Sequence, residues 1–412
     1  MKHETNPTSI SLTTLIPYAI CVILLGYIAY FNSAIIEISQ TTIQLTAAMK
    51  GFSSSAFFFF SAMSLIPLGF FLTQVDPKYI QVVFLIGGAF GLLIIASAFT
   101  PFGLTMGRAV CGICFSCTFL TTIKSLLHHC KAISRVNILF IIYLCFIIGM
   151  VLASIPTVWL LSIVDWRVLV LIIALISLVL SILIAICVPD TETQSHCALD
   201  VISHIEELSS VVSNKKYRTI FILSSVGIGT FMSMQSLWTG QWTTEVLGFT
   251  LGHSGEILLS SAIGMFFALI FIKCFLKYFR SANGLNISVC NFFLVTSTLI
   301  LTFLVFFKKF NTPVVWFLYG FVLQCFTAQI LWYIKEKKDH HLLKVANVIQ
   351  IGVYLYTFFI QMIVGIIINL WKYSSKQDAP EVSYRVAFSI MILFIFVSIF
   401  LSLKKRVVDE TS

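Results

Sequence analysis

Apolar residues gather along this chain into twelve long runs separated by polar stretches. The runs fall near 12–36, 52–74, 79–100, 102–127, 137–163, 167–188, 218–242, 254–275, 284–307, 313–334, 344–371 and 382–403. They do not alternate with period two, so they do not read as barrel strands. Most hold about 20 or more residues, the length that a helix rising 1.5 Å per residue needs to cross hydrocarbon. Hydrocarbon offers the backbone no hydrogen bonds, so such runs must be helices. The pattern predicts an all-α polytopic membrane protein with twelve transmembrane helices. Most connections are short, which makes neighbouring helices antiparallel. One connection, Pro189 to Tyr217, is longer and separates six helices from six. We therefore expect an N-terminal bundle over 1–188, a linker over 189–217 and a C-terminal bundle over 218–412. In the linker Val201, Ile202, Ile205, Leu208, Val211 and Val212 recur at helical spacing opposite Asp200, Glu206 and Glu207. That predicts a short amphipathic strap along the membrane surface.

Composition sharpens this picture. The chain is 58% hydrophobic and 10% charged, against about 25% charged in a soluble globular chain. Its solvent is the bilayer. The polar head MKHETNPTS leads into an apolar run of about 25 residues, longer than a signal-peptide core, so it is expected to remain as the first span. The basic residues divide eighteen to seven between the two sides, with Arg108 left inside the fourth run. By the positive-inside rule both termini and the central linker face the cytoplasm. The net charge of +9 is dealt out along loops, so no nucleic-acid partner is expected. The eleven cysteines lie mostly within apolar runs and read as small hydrophobes. Cys111, Cys114 and Cys117 advance about 300° at each step around a helix, so they do not converge on a metal. No metal and no cofactor is expected.

The two halves share punctuation. Thr100-Pro101 opens the fourth run and Thr312-Pro313 the tenth; Trp166-Arg167-Val168 opens the sixth and Tyr384-Arg385-Val386 the twelfth. Matching order implies two six-helix pseudo-repeats. With these pieces the chain resembles the major facilitator superfamily of secondary transporters, bacterial branch, over essentially its full length. IPLGFFLTQVDPKYI after the second helix, GRAVCGI in the fourth, DWRVLVL, LWTGQW in the seventh and SYRVAF carry the resemblance. It implies a substrate site between the halves, lined by the first, fourth, seventh and tenth helices. The family's loop after helix two usually reads G-x-L-x-D-R-x-G-R-R. Here Gly69 is kept, but Thr73 and Gln74 stand where the Asp and Arg are expected. Asp76 is the nearest acidic residue that could gate the inner face in their place. The G-x-x-x-G-P-x-x-G-G pattern of drug antiporters is missing from the fifth helix, which argues against drug efflux.

Within that frame, helical rise places Arg108, Tyr27, Gln235, Tyr319 and Gln361 in one layer of the outer half, with Gln324 near the centre of the tenth helix. These six are the expected substrate-binding residues. Arg108 can grip a carboxylate or phosphate in a bidentate fork, or it can bond neighbouring helices. Trp238 and Trp242 share a helix face and read either as an interfacial aromatic belt or as an outer gate, with Gly240 between them letting the helix bend. Coupling to a proton or ion needs a titratable group in the pathway. Glu37 and Glu256 are the candidates, and without them the protein is a facilitator or exchanger. Asp339-His340-His341 comes nearest to a catalytic cluster, but it reads as a solvated loop, so no enzyme is expected. The sequence therefore predicts a monomeric, multi-pass secondary transporter in the bacterial inner (plasma) membrane. It would move a small anionic or zwitterionic nutrient, such as an amino acid, by alternating access. Efflux of drugs or metabolites, and a non-transporting sensor or scaffold, are the alternatives.

Overall fold

A computed structural model of the chain describes residues 12–130, 133–191, 215–275, 287–335, 339–374 and 380–411, with a few positions between 206 and 213. The amphipathic strap expected over 200–212 lies mostly outside the described residues, as do the side chains of Asp339, His340 and His341. Among the described residues there is no strand. Eleven helices are long and apolar enough to cross a membrane, and Pro313–Thr327 is a shorter apolar helix in the tenth place. The spans are numbered one to twelve in this chain order.

Several spans start or end beyond their predicted limits, and four are interrupted. The first runs as Leu12–Tyr30 and Asn32–Ser39, the fourth as Pro101–Phe115 and Cys117–His129, and the fifth as Arg135–Leu152 and Ile155–Leu161. The seventh begins as Lys215–Ser233 and then passes through two π-helical turns, Met234–Trp238 and Trp242–Val246, around Thr239–Gln241. Pro156 accounts for the fifth-span break, because it fits only the first turn of a new helix. The second span starts at Ala47 rather than 52, capped by Thr46, whose hydroxyl accepts from Met49 N.

The lipid-facing surface is made of large apolar side chains, among them Val83, Phe90, Leu175, Ile182 and Phe400, all exposed. Lipid gives helices no hydrophobic reason to associate, so they pack through small residues and hydrogen bonds. Many hydroxyls inside the spans bond back one turn, as Ser61 Oγ does to Phe57 O and Ser224 Oγ to Ile220 O. This keeps them satisfied in hydrocarbon. The matched punctuation of the halves serves one purpose twice. Arg167 donates to Ala98 O at the end of the third span, and Arg385 donates to Val305 O and Phe306 O at the end of the ninth. The second span lies along the eleventh, and the eighth against the fifth. These two seams join the halves, and Asn347 Nδ2 donates to Leu65 O across the first of them at 3.1 Å.

Candidate functional site

A cavity of about 100 Å³ lies between the halves. Leu25 and Tyr30 come from the first span, Phe119 from the fourth, and Leu139, Tyr143, Phe146 and Ile147 from the fifth. The C-terminal half adds Ile228, Phe231 and Met232, Met265, Leu323, Gln324 and Thr327, and Ala346, Ile349, Gln350, Val353 and Tyr354. The eleventh-span residues belong to the first half of Leu342–Trp371, Met265 to the second half of Leu251–Cys274 and Phe119 to the second half of Pro101–His129. All three placements put the cavity on the side of the chain termini, the side with more basic loops.

The lining is apolar with a few polar groups and no charge. Tyr30, Tyr143 and Tyr354 lie within electrostatic reach of one another. Gln350 Nε2 donates to Tyr354 Oη at 3.0 Å, while Gln350 Oε1 has no partner among the described residues. Gln324 is fully buried, and neither its Oε1 nor its Nε2 has a hydrogen-bond partner among them. An unpartnered buried polar atom costs about 1–3 kcal/mol, so these amides are kept at some expense in stability.

The opposite side is shut by a network that the sequence reading did not find. Lys50 in the second span is 3% exposed. Its ammonium reaches across the halves to Glu245 Oε1 at 2.8 Å and Gln241 Oε1 at 2.5 Å. Gln241 Nε2 donates in turn to Glu37 Oε2 at 2.7 Å. Two residues of the N-terminal half are thus tied to two of the seventh span. Backbones come close beside this network. A Cβ on Gly240 would stand 2.1 Å from Ser33 Oγ, and one on Gly51 would stand 2.8 Å from Gln361 O. Glycine is what lets the first and seventh spans, and the second and eleventh, touch there. Trp238, fully buried, packs at this level, 3.3 Å from where a Gly51 Cβ would be.

Of the six residues expected to bind substrate, only Gln324 lines the cavity. Arg108 is 1% exposed and donates from Nη1 to Ile28 O at 3.0 Å, beside the first-span break. Its guanidinium lies 4.7 Å from the centre of the Phe57 ring, a cation–π contact, and has no carboxylate partner among the described residues. Tyr27 Oη bonds Thr157 Oγ1 at the fifth-span break. Gln235 is satisfied at both ends, by Leu258 O and Ser261 Oγ of the eighth span. Gln361 Nε2 donates to Ser236 Oγ, and Tyr319 packs tilted against Phe231 and edge-on against Trp316. The expected layer is therefore not one site.

Among the other candidates, Trp242 Nε1 donates to Asn311 Oδ1, and its ring packs on Tyr384 and Phe388 within the C-terminal half. Gly69 lies half-buried inside the second span. Asp76 caps the third span through Lys78 N and accepts from Thr191 N, which ties the loop after the second span to the end of the sixth. Those contacts do not reach the C-terminal half. Glu37 joins the outer network, whereas Glu256 is exposed at the start of the eighth span and pairs with His253 at 2.7 Å. The thiols contact oxygens rather than one another, Cys111 Sγ reaching Gly88 O and Cys117 Sγ reaching Cys114 O and Gln81 Oε1.

The fold matches solved transporters. The nucleoside transporter NupG superposes with a TM-score of 0.69 at 15% identity, over 96% of this chain and 98% of that one. The D-xylose-proton symporter gives 0.69 at 11% identity over 94% and 97%. An inward-facing, unoccupied bacterial homologue of the human lysosomal transporter Spinster gives 0.67 at 12% over 96% and 98%. No curated protein sequence is significantly similar to the chain. The family model of the Major Facilitator Superfamily matches residues 18–338. A membrane-spanning, all-helical chain with these matches is a transporter of small solutes, and it belongs to the Major Facilitator Superfamily.

Proposed function

We propose that the protein carries a small uncharged organic solute across the bacterial inner membrane by alternating access. The observation that supports this most directly is the cavity lining, where tyrosines and glutamines sit among aromatic and aliphatic walls with no ionised group. A buried ionised solute would need an opposite charge. The nearest buried cation of the sequence-derived layer, Arg108, instead holds the first-span carbonyl of Ile28. This turns the reading from an amino acid towards a neutral solute. Two of the similar structures are named for uncharged solutes, a nucleoside and D-xylose; that likeness is one of fold, and the reading does not rest on it. The arrangement, shut by Lys50, Glu245, Gln241 and Glu37 and hollow towards the basic side, is an inward-directed state with both termini in the cytoplasm. Glu37 is the coupling group we favour, because its partner Gln241 must let go when the outer side opens.

The test is counterflow into proteoliposomes with uridine, D-xylose, leucine and glutamate as separate solutes. At least one of the two uncharged solutes is expected to move, with flux falling in Tyr354→Phe. Leucine or glutamate flux that Arg108→Met abolishes, in protein that remains folded, would overturn the proposal in favour of a charge-gripping site.

A further inference from the structure

The cavity's unpartnered amides carry the neutral-solute reading further, and the inference rests on it. Gln324 presents an acceptor and a donor pair, side by side and unused. Gln350 adds a second unused acceptor, its amide nitrogen being committed to Tyr354. A primary amide meets its complement in another amide edge, an N–H beside a C=O or beside a ring nitrogen, in the way glutamine reads a base edge. The walls are set for a flat ring. Phe119 meets Tyr143 edge to face at 5.6 Å, and Tyr30 meets Phe146 in the same manner at 5.8 Å. Phe231 forms part of the wall on the C-terminal half. The volume favours a small solute. A buried cavity of roughly 150 Å³ accepts one benzene, so about 100 Å³ admits one small ring with limited adjustment.

From these three features we infer that Gln324 is the specificity-determining residue, and that it selects an uncharged one-ring heterocycle with an amide edge, the chemistry of a pyrimidine base. A sugar offers hydroxyls but no flat face for these walls. An aromatic hydrocarbon fits the walls but leaves both glutamines unpartnered. When a site made to hydrogen-bond a group meets an analogue lacking it, the site's own polar atoms stay buried and unpaired, which is the source of strong rejection.

The experiment is a thermal-shift titration of the full-length detergent-solubilised protein with uracil, 1,3-dimethyluracil, uridine, nicotinamide and D-xylose. Binding to the folded state raises the melting temperature by mass action. Uracil is expected to bind at least tenfold more tightly than 1,3-dimethyluracil, which keeps the ring and carbonyls but loses both N–H donors. Gln324→Leu is close in shape and removes two unpartnered polar atoms, so its unliganded melting temperature should equal or exceed that of the wild type. In that variant the preference for uracil should shrink to less than threefold. Gln324→Met is the second variant should Gln324→Leu misfold. Tighter binding of uracil than of uridine is expected from the cavity volume; uridine binding as tightly as uracil would overturn the one-ring limit. Equal binding of uracil and dimethyluracil by the wild type would overturn the inference, as would a preference undiminished in the glutamine variants. Flux of D-xylose without any heterocycle binding would sink this inference and leave the neutral-solute reading standing. Arg108-dependent glutamate flux would sink the reading itself.

Discussion

Replacing Lys50 with Ala should release the outer side of the transporter. Lys50 Nζ lies 2.8 Å from Glu245 Oε1, with the two side chains 4% and 24% exposed. Removing one partner of a buried ion pair costs roughly 3–5 kcal/mol, because the other charge stays behind in a poor solvent. Glu245 is partly wet, and water recovers some of that loss, which leaves about 2 kcal/mol. The pair spans the two halves, so the loss falls on the closed arrangement and spares one in which both groups are hydrated. At about 1.4 kcal/mol per tenfold change, the closed-to-open ratio should fall about 30-fold. The second contact, to Gln241 at 2.5 Å, disappears with the same substitution, which adds in the same direction. The assay is a spin-label distance measurement between cysteines at Thr41 and Gly252, both exposed at the closed end. Lys50→Ala should populate a longer distance that is minor in the background protein, and Lys50→Arg should restore the short one. An unchanged distance distribution in folded Lys50→Ala would refute the view that this pair holds the outer side shut.

Other substitutions separate the gate from the scaffold. Gly240→Val should open the same end, because even a Cβ would fall 2.1 Å from Ser33 Oγ; the same label pair should report a longer distance. Arg108→Met removes one charged hydrogen bond to Ile28 O, worth about 1.5–3 kcal/mol. It also removes two unpartnered buried nitrogens, so the net loss of stability by thermal melting should stay below about 2 kcal/mol, with solute affinity changed less than threefold. Asp76→Ala deletes the third-span cap and the bond from Thr191 N, and should cost about 1 kcal/mol without moving the outer label distances. Lys78 bonds Asp190 at 2.9 Å and holds its carboxyl below the usual carboxylate range. A depressed carboxyl stabilises the fold above its unfolded value and loses that contribution as the pH falls. The pair's contribution should therefore be present at neutral pH and lost under acid, so Asp190→Asn, which lacks it at every pH, should show a flatter acid decline of the melting temperature.

The membrane class, the helix count and the division into halves were legible because they depend on the length and polarity of whole segments. The site was not, for reasons that can be traced to particular residues. A second span beginning at 52 leaves Lys50 as a loop charge that counts only towards orientation. Thr46, a cap residue three positions ahead of the N–H it accepts, is the signal that moves the start to Ala47 and brings Lys50 into the helix. A first span ending at 36 and a seventh ending at 242 likewise leave Glu37 and Glu245 outside. The two spans run to Ser39 and Val246, which brings both carboxylates into the helices. Three end shifts on one side hid one network.

The substrate layer failed differently. Counting 1.5 Å per residue assumes an unbroken α-helix, and depth alone says nothing of the direction a side chain faces. The first span breaks at Phe31, the fourth at Ser116, and the seventh is rewound by π turns on both sides of Thr239–Gln241. Each π turn holds an extra residue and rotates the rest of the helix beyond it. Gln235 sits inside the first of them, which turns its amide onto Leu258 O and Ser261 of the eighth span rather than towards the other half. Gln324 sits midway along Pro313–Lys335, which continues through it without a break, and the cavity it lines is on the inner side rather than in the expected outer layer. The same irregularity that defeats depth counting supports the gate. The π turns carry Trp238, and the segment between them carries Gly240 and Gln241, the residues that meet the N-terminal half. A rewound turn has more than one hydrogen-bonding register available to it, so the seventh span can bend there when Lys50 lets go. We propose that the outer side opens by bending the seventh span near Gly240, the cavity residues Ile228, Phe231 and Met232 lying in the regular helix before the π turns.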